Sequence, residues 1–219
     1  MRVRGLLFDF DGLLLDTETP SRRAFEDLYR DHGHELPHDR WATVIGTLGA
    51  EFEPYAHLEE LVGAQLDRER LDARRRARED ELCDLEELRP GIDAYLAEAD
   101  RRGLVRAIVS SSSRSWIDRH LSRLACSNGW QAIVTADGDP QRAKPRPTLY
   151  LEALEAIGVK ADEAIAFEDS PNGVRAAKAA ALYCVAIPNP ATQTLALDDA
   201  DLVLDSLEDI SLSDLLARF

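Results

Sequence analysis

The chain has 219 residues, 45% of them apolar, and a formal net charge of −15. That length supports one good-sized domain or a core with a smaller one attached, while the acidity argues against two partners: nucleic acid, which needs clustered Lys and Arg, and an anionic membrane surface. No apolar run approaches a membrane span, Arg2 and Arg4 precede too few apolar residues for a signal-peptide core, and the three separated cysteines (Cys83, Cys126, Cys184), with no CxxC, fit a reduced cytoplasm.

The first element is an apolar run over residues 3–8 that stops at Asp9, with Asp11 and Gly12 close behind. It is too short for a helix and ends at a turn signal, so it reads as a buried strand. Thr19-Pro20 then reads as a helix start, with Ala24, Phe25, Leu28 and Tyr29 on one stripe and Gly33 as the stop. Further helices are predicted from Pro54 and over 67–81, so that about 17–86 is all-helical.

At Pro90-Gly91 the texture changes. A helix carrying Ile92, Tyr95, Leu96 and Ala99 leads to a strand over 105–110 that ends in a run of serines. A helix with Trp116, Ile117, His120 and Leu121 follows, then a strand over 132–135. Lys144-Pro145 introduces a helix that Gly158 stops, and a strand over 163–167 ends at Glu168-Asp169. Ser170-Pro171 caps and opens the next helix. Strands are also predicted over 183–187 and 201–204, and a last helix near Ser206. Alternating strands and helices imply an α/β fold, a Rossmann-like parallel sheet with helices on both faces. The predicted organisation is a core of residues 1–16 and 87–219 with an inserted helical cap, 17–86, lying over the first strand's carboxyl end.

Several strands therefore deliver polar residues to one sheet edge: Asp9 and Asp11, Ser110 and Ser111, and Glu168 and Asp169, with Lys144 in a nearby connection. Buried acids need compensating charge. Two acidic clusters offer hard oxygen ligands to Mg²⁺. A lysine and a hydroxyl offer charge and hydrogen bonds to phosphate oxygens, and the helix opening at Pro171 adds its positive end.

Taken together, Asp9-Phe10-Asp11-Gly12, Ser110, Lys144 and the phrase Phe167-Glu168-Asp169-Ser170-Pro171-Asn172-Gly173 resemble the four motifs of the haloacid dehalogenase superfamily, in its phosphatase members with a small helical cap. The resemblance covers essentially the whole chain and implies a Mg²⁺-dependent phosphatase acting on a small phosphorylated metabolite. Asp9 is the expected nucleophile, forming an aspartyl-phosphate. Asp11 is the expected general acid and then base, and Lys144 with Ser110 and Ser111 the phosphate grip. The resemblance gives the metal to Asp9 and Asp169 by carboxylate and to Asp11 by its backbone carbonyl, with Glu168 binding it directly or through water. A monomer or weak homodimer is adequate for such an enzyme.

β-Phosphoglucomutase-type relatives share this cap, and a mutase must hold a second phosphate there. The substrate loop expected at Gly46–Glu53 has no Lys or Arg, and Ser21 stands where a histidine is expected. Both features favour hydrolysis, although Arg22, Arg23 or Arg40 could serve instead. Receiver domains, which are phosphorylated switches, place their acid pair and acceptor on different strands and lack the inserted cap. The histidines 32, 34 and 38 read as a polar surface turn. The arginines between 68 and 78 read as a solvated helix with i,i+4 pairs. Phe52 and Trp41 read as cap core, Phe52 within the suspected substrate loop, and Trp116 as core packing.

Overall fold

The structure, a computed structural model, describes residues 3–41 and 52–219. In chain order the elements are β1 (Gly5–Phe8), α1 (Glu18–Asp31), α2 (His38–Trp41), α3 (Pro54–Val62), α4 (Arg68–Cys83), α5 (Ile92–Arg102), β2 (Val105–Ser110), α6 (Arg114–Arg123), β3 (Ala132–Thr135), α7 (Thr148–Ile157), β4 (Ala164–Glu168), α8 (Pro171–Ala179), β5 (Tyr183–Ala186), β6 (Leu202–Val203) and α9 (Leu212–Leu216). The six strands pair in the order β3-β2-β1-β4-β5-β6, all parallel. Every predicted strand is present. None of the described helices is long and apolar enough to cross a membrane.

Alternation along β1 divides the core. Leu6 and Phe8 face one side with Ile108, Ile165 and Phe167, packed under α5, α6 and α9. Leu7 faces the other with Ala107, Val109, Ala164 and Ala166, under α7 and α8. The second face is rich in alanine, which lets the backbones of α8 and the sheet approach closely. Phe8 aligns with Ile108 on one neighbour and Phe167 on the other. Asp9, the residue after β1, therefore emerges at the strand ends beside Glu168.

A third apolar cluster belongs to the helical block: Phe25, Leu28 and Tyr29 of α1 with Leu36, Trp41, Phe52 and Leu58. Tyr29 donates its hydroxyl to the Pro54 carbonyl at 2.6 Å, tying α1 to the start of α3. The helical block is entered just after Leu15 and left just before Leu88, and an isolated antiparallel bridge pairs these two residues. Ala191 and Leu195, from the segment after β5, also pack against this cluster.

Three local expectations are corrected. Thr19 does not cap α1, which begins one residue earlier; the Asp16 carboxylate accepts the Thr19 N–H at 3.0 Å instead. No helix forms at Ser206, because its N–H donates to Asp209 and its hydroxyl accepts from the Glu208 N–H. That side-chain turn competes with helix formation, and α9 starts only after Ser211, whose hydroxyl accepts the Asp214 N–H. A short helix, α2, also occupies part of the stretch read as a polar turn. Within that stretch His32 meets the Leu28 carbonyl at 2.8 Å.

The arginines of α4 do more than pair along their own helix. Arg78 reaches Asp27 at 2.9 Å and Arg74 reaches Asp31, both on α1, while Arg75 lies over the Phe25 ring. Exposed pairs of this kind contribute about 0–1 kcal/mol each, so they set the register of two helices more than they stabilise them.

Candidate active site

Four of the predicted residues converge in a buried cluster at the carboxyl ends of β1 and β4. Lys144 Nζ lies 2.6 Å from Asp9 Oδ1 and 2.7 Å from Glu168 Oε1. Ligand atoms of Asp9, Glu168 and Asp169 all lie within 4.8 Å of one another, and the three are buried. One ammonium thus faces three carboxylates. Burial, and then the Glu168 charge, push the Asp9 carboxyl up to about 7 despite the pull of Lys144. Burial, and then Asp9, push Asp169 well above the ordinary carboxylate range. Burial alone would lower the Lys144 ammonium, but Asp9 and Glu168 outweigh it and raise its pKa.

Glu168 is fully buried and held on one oxygen only. Its Oε1 accepts from Lys144 and from the Tyr150 hydroxyl, while Oε2 has no partner among the described residues. A buried, unpaired carboxylate oxygen is costly unless something positive reaches it. An all-oxygen donor set with surplus negative charge suits a hard divalent cation, so the residues fit a metal of the Mg²⁺ class.

Two glycines make room for this arrangement. Gly12 has φ +80°, and a Cβ on it would fall 2.2 Å from Asp169 Oδ2. At Gly173, in the first turn of α8, a Cβ would fall 1.8 Å from Glu168 Oε2. Gly173→Ala is expected to displace Glu168 and lower the melting temperature by about 5 °C or more, the scale of an overpacked core in a chain of this size. An unchanged melting temperature in a thermal unfolding scan would show that Glu168 has slack.

Asp11 lies beside the cluster, not in it. Its Oδ2 accepts from Ser112 Oγ at 2.7 Å and Ser110 Oγ at 3.0 Å, and its Oδ1 from Trp116 Nε1 at 2.8 Å. The carboxylate expected to carry protons is thus held toward the end of β2 and the start of α6. Trp116 packs against the core as expected, and its indole N–H also positions Asp11. Ser110 is buried and also accepts the Ser112 N–H; Ser111 accepts the Lys144 backbone N–H at 3.2 Å.

Sequence reading missed the support behind Asp169. Asn189 Nδ2 donates to Asp169 Oδ2 at 2.7 Å and to the Gly12 carbonyl at 3.3 Å. Arg89 gathers the Gly12, Ile187 and Pro188 carbonyls at 2.6–3.0 Å. These residues are far apart in sequence and carry no local signal; only the topology brings the β5 loop against the turn after β1. Tyr150 was legible only as part of an apolar helix stripe.

The cap residues named in the sequence lie elsewhere. Arg22 approaches Glu26 at 3.5 Å. Phe52 is buried in the helical cluster with the Arg40 guanidinium over its ring. Glu53 caps α3 by accepting the Tyr55 and Ala56 N–H groups. Residues 46–51 of the expected substrate loop lie outside the described residues.

Known proteins resemble this chain over most of its length. Residues 6–187 match the family model of haloacid dehalogenase-like hydrolases. Putative phosphatase YhcW of Bacillus subtilis is 42% identical, over 98% of this chain and 96% of that protein. Hexitol phosphatase A of Escherichia coli is 30% identical, over 97% of this chain and 95% of its own length. The crystal structure of CbbY from Rhodobacter sphaeroides in complex with phosphate superposes with a TM-score of 0.74 at 28% identity, covering 97% of this chain and 99% of that one.

Proposed function

The chain belongs to the haloacid dehalogenase-like hydrolases, a phosphoric monoester hydrolase by its relatives, and we propose that it is a Mg²⁺-dependent phosphatase of a small phosphorylated metabolite, working through an aspartyl-phosphate on Asp9. The observation that supports this most directly is the buried constellation of Asp9, Lys144, Glu168 and Asp169 at the end of the central strand.

In this reading Asp9 uses its free carboxylate oxygen to attack phosphorus while Lys144 orients the other oxygen and neutralises charge on the transferring phosphoryl group. Ser110, bonded to Asp11, and Ser111, bonded to the Lys144 backbone, offer hydroxyls to phosphate. Asp11 donates a proton to the departing alkoxide and takes one from the water that later cleaves the acyl-phosphate. Its three hydrogen-bond donors, Ser110, Ser112 and Trp116, fix the carboxylate until a leaving group competes for it. Asp9, Glu168 and Asp169 would hold the divalent cation, which supplies positive charge to the phosphoryl oxygens when bound. The block 17–86 then acts as a cap over this edge, its two connections held together by the single bridge between Leu15 and Leu88.

The test is a phosphate-release screen over metabolite phosphates and p-nitrophenyl phosphate, with Mg²⁺ and with EDTA. Multiple-turnover, Mg²⁺-dependent release is expected. Conversion of β-glucose 1-phosphate to glucose 6-phosphate without net release would move the chain to the mutases, and a single long-lived phosphoryl adduct to the receiver-like switches.

A further inference from the structure

Each of the three carboxylates in the buried cluster has one oxygen taken by a protein donor. Asp9 Oδ1 accepts from Lys144 at 2.6 Å. Glu168 Oε1 accepts from Lys144 at 2.7 Å and from the Tyr150 hydroxyl. Asp169 Oδ2 accepts from Asn189 Nδ2 at 2.7 Å. No donor among the described residues reaches the second oxygen of any of the three. The cluster therefore offers three single oxygens, not three carboxylate pairs.

Two of the donors serve nothing else in the mechanism, and both are firmly placed. Tyr150 stands in the first turn of α7, fully buried on the alanine-rich side of the sheet, and Lys144 Nζ lies 5.4 Å from the centre of its ring. Its hydroxyl and the ammonium thus converge on the same glutamate oxygen. Asn189 is buried in the loop after β5. Its Oδ1 accepts the N–H groups of Ala191 at 2.8 Å and Thr192 at 3.0 Å, which leaves Nδ2 to face Asp169.

Hard cations differ in what they ask of a carboxylate. Ca²⁺ accepts a crowded, flexible shell in which one carboxylate gives both oxygens, whereas Mg²⁺ demands near-ideal octahedral geometry. Two oxygens of one carboxylate subtend too narrow an angle for that octahedron. Donors that occupy one oxygen of each carboxylate leave the smaller ion its ligands and deny the larger ion its paired ones. Outer partners of this kind tune metal affinity by about 10–100-fold.

We propose that Tyr150 and Asn189 are positioning residues that, with Lys144, hold Glu168, Asp169 and Asp9 as single-oxygen ligands and so select a small divalent cation over a larger one. This rests on the metal-dependent reading above and adds to it two residues that act only through the carboxylates.

The experiment is calorimetric titration of the intact protein, stripped with EDTA and desalted, with MgCl₂ and with CaCl₂ at pH 8. Wild type is expected to bind Mg²⁺ at least as tightly as Ca²⁺. Tyr150→Phe, which keeps the ring and loses only the hydroxyl, should weaken Mg²⁺ binding by on the order of tenfold and Ca²⁺ binding much less, so that the ratio of the two dissociation constants moves severalfold toward Ca²⁺. Asn189→Ala should move it the same way by freeing Asp169. Tyr95→Phe is the control: it removes the hydroxyl that Tyr95, also buried, donates to the Ile210 carbonyl at 2.8 Å, and should leave the ratio unchanged. A ratio unmoved by both Tyr150→Phe and Asn189→Ala, a shift of equal size in Tyr95→Phe, or a wild type that prefers Ca²⁺ tenfold or more overturns the assignment while leaving the phosphatase reading intact, provided Mg²⁺ stimulates turnover of p-nitrophenyl phosphate. A wild type that neither binds Mg²⁺ nor is stimulated by it removes the Mg²⁺-dependent reading, and this assignment with it.

Discussion

Asp9→Asn is expected to lower phosphate release from p-nitrophenyl phosphate by on the order of 10⁴-fold or more, the scale seen when a catalytic nucleophile is removed. The substitution is nearly isosteric, so the fold should survive. Asp9 is buried in contact with Lys144 at 2.6 Å, and an amide oxygen can still accept that hydrogen bond. What is lost is the anionic oxygen that attacks phosphorus and one of the three negative charges of the cluster. Two readouts separate these effects. Quenched enzyme, rapidly mixed with substrate, should show an acid-stable, hydroxylamine-labile phosphoryl adduct in the wild type and none in Asp9→Asn. The variant should still unfold cooperatively near the wild-type temperature. Retention of more than a tenth of the activity in a preparation free of wild-type enzyme would remove Asp9 from the nucleophile role.

How far the sequence discloses this arrangement depends on how local each contact is. The strands β1, β2 and β4 were legible because each is a run of four to six mostly buried residues that stops at a polar one, a pattern set by the sheet being covered on both faces. Asp9, Glu168 and Asp169 were legible for the same reason, since a parallel sheet puts all strand ends on one edge. Lys144 could be assigned to that edge only through motif order, because its own neighbourhood reads as a surface loop. The features that escaped depend on distant partners. Arg89 is silent until its guanidinium meets three carbonyls from two separate loops. Trp116 is apolar by any periodicity count, yet its one polar atom is spent on Asp11. Ser206 looks like a helix cap, but its hydrogen bonds with Asp209 and Glu208 close a turn first. Glu18 and Glu79, 61 positions apart, face one cleft only because α1 and α4 pack side by side.

In EDTA, the melting temperature is expected to fall as pH rises from about 5 to 8, and Mg²⁺ is expected to reverse most of that fall. The sign follows from proton counting. Asp9 has a carboxyl raised from 3.8 to about 7, by burial and then by Glu168, and Asp169 is raised well above its ordinary value by burial and then by Asp9. Between the ordinary carboxylate range and about pH 7 the folded chain therefore holds protons that the unfolded chain has released. Stability is fully present below the unfolded value and is lost as pH climbs through the folded one. A shift of this size corresponds to a few kcal/mol, or about 5–10 °C in a chain of this length. A divalent cation binds the deprotonated carboxylates and competes with those protons, so its stabilising shift should be larger at pH 8 than at pH 5. Asp169→Asn separates charge relief from metal binding. By removing one of the crowded carboxylates it should raise the melting temperature in EDTA at pH 8, and by removing a ligand it should abolish most of the response to Mg²⁺, with loss of turnover. Asn189 would then face an amide in place of the carboxylate it now holds at 2.7 Å, and the amide keeps that bond in the orientation that puts its oxygen at the Oδ2 position. A melting temperature in EDTA that is flat or rises over this range, or an Asp169→Asn protein that Mg²⁺ stabilises as much as wild type, would mean that the crowded carboxylates are compensated without a metal.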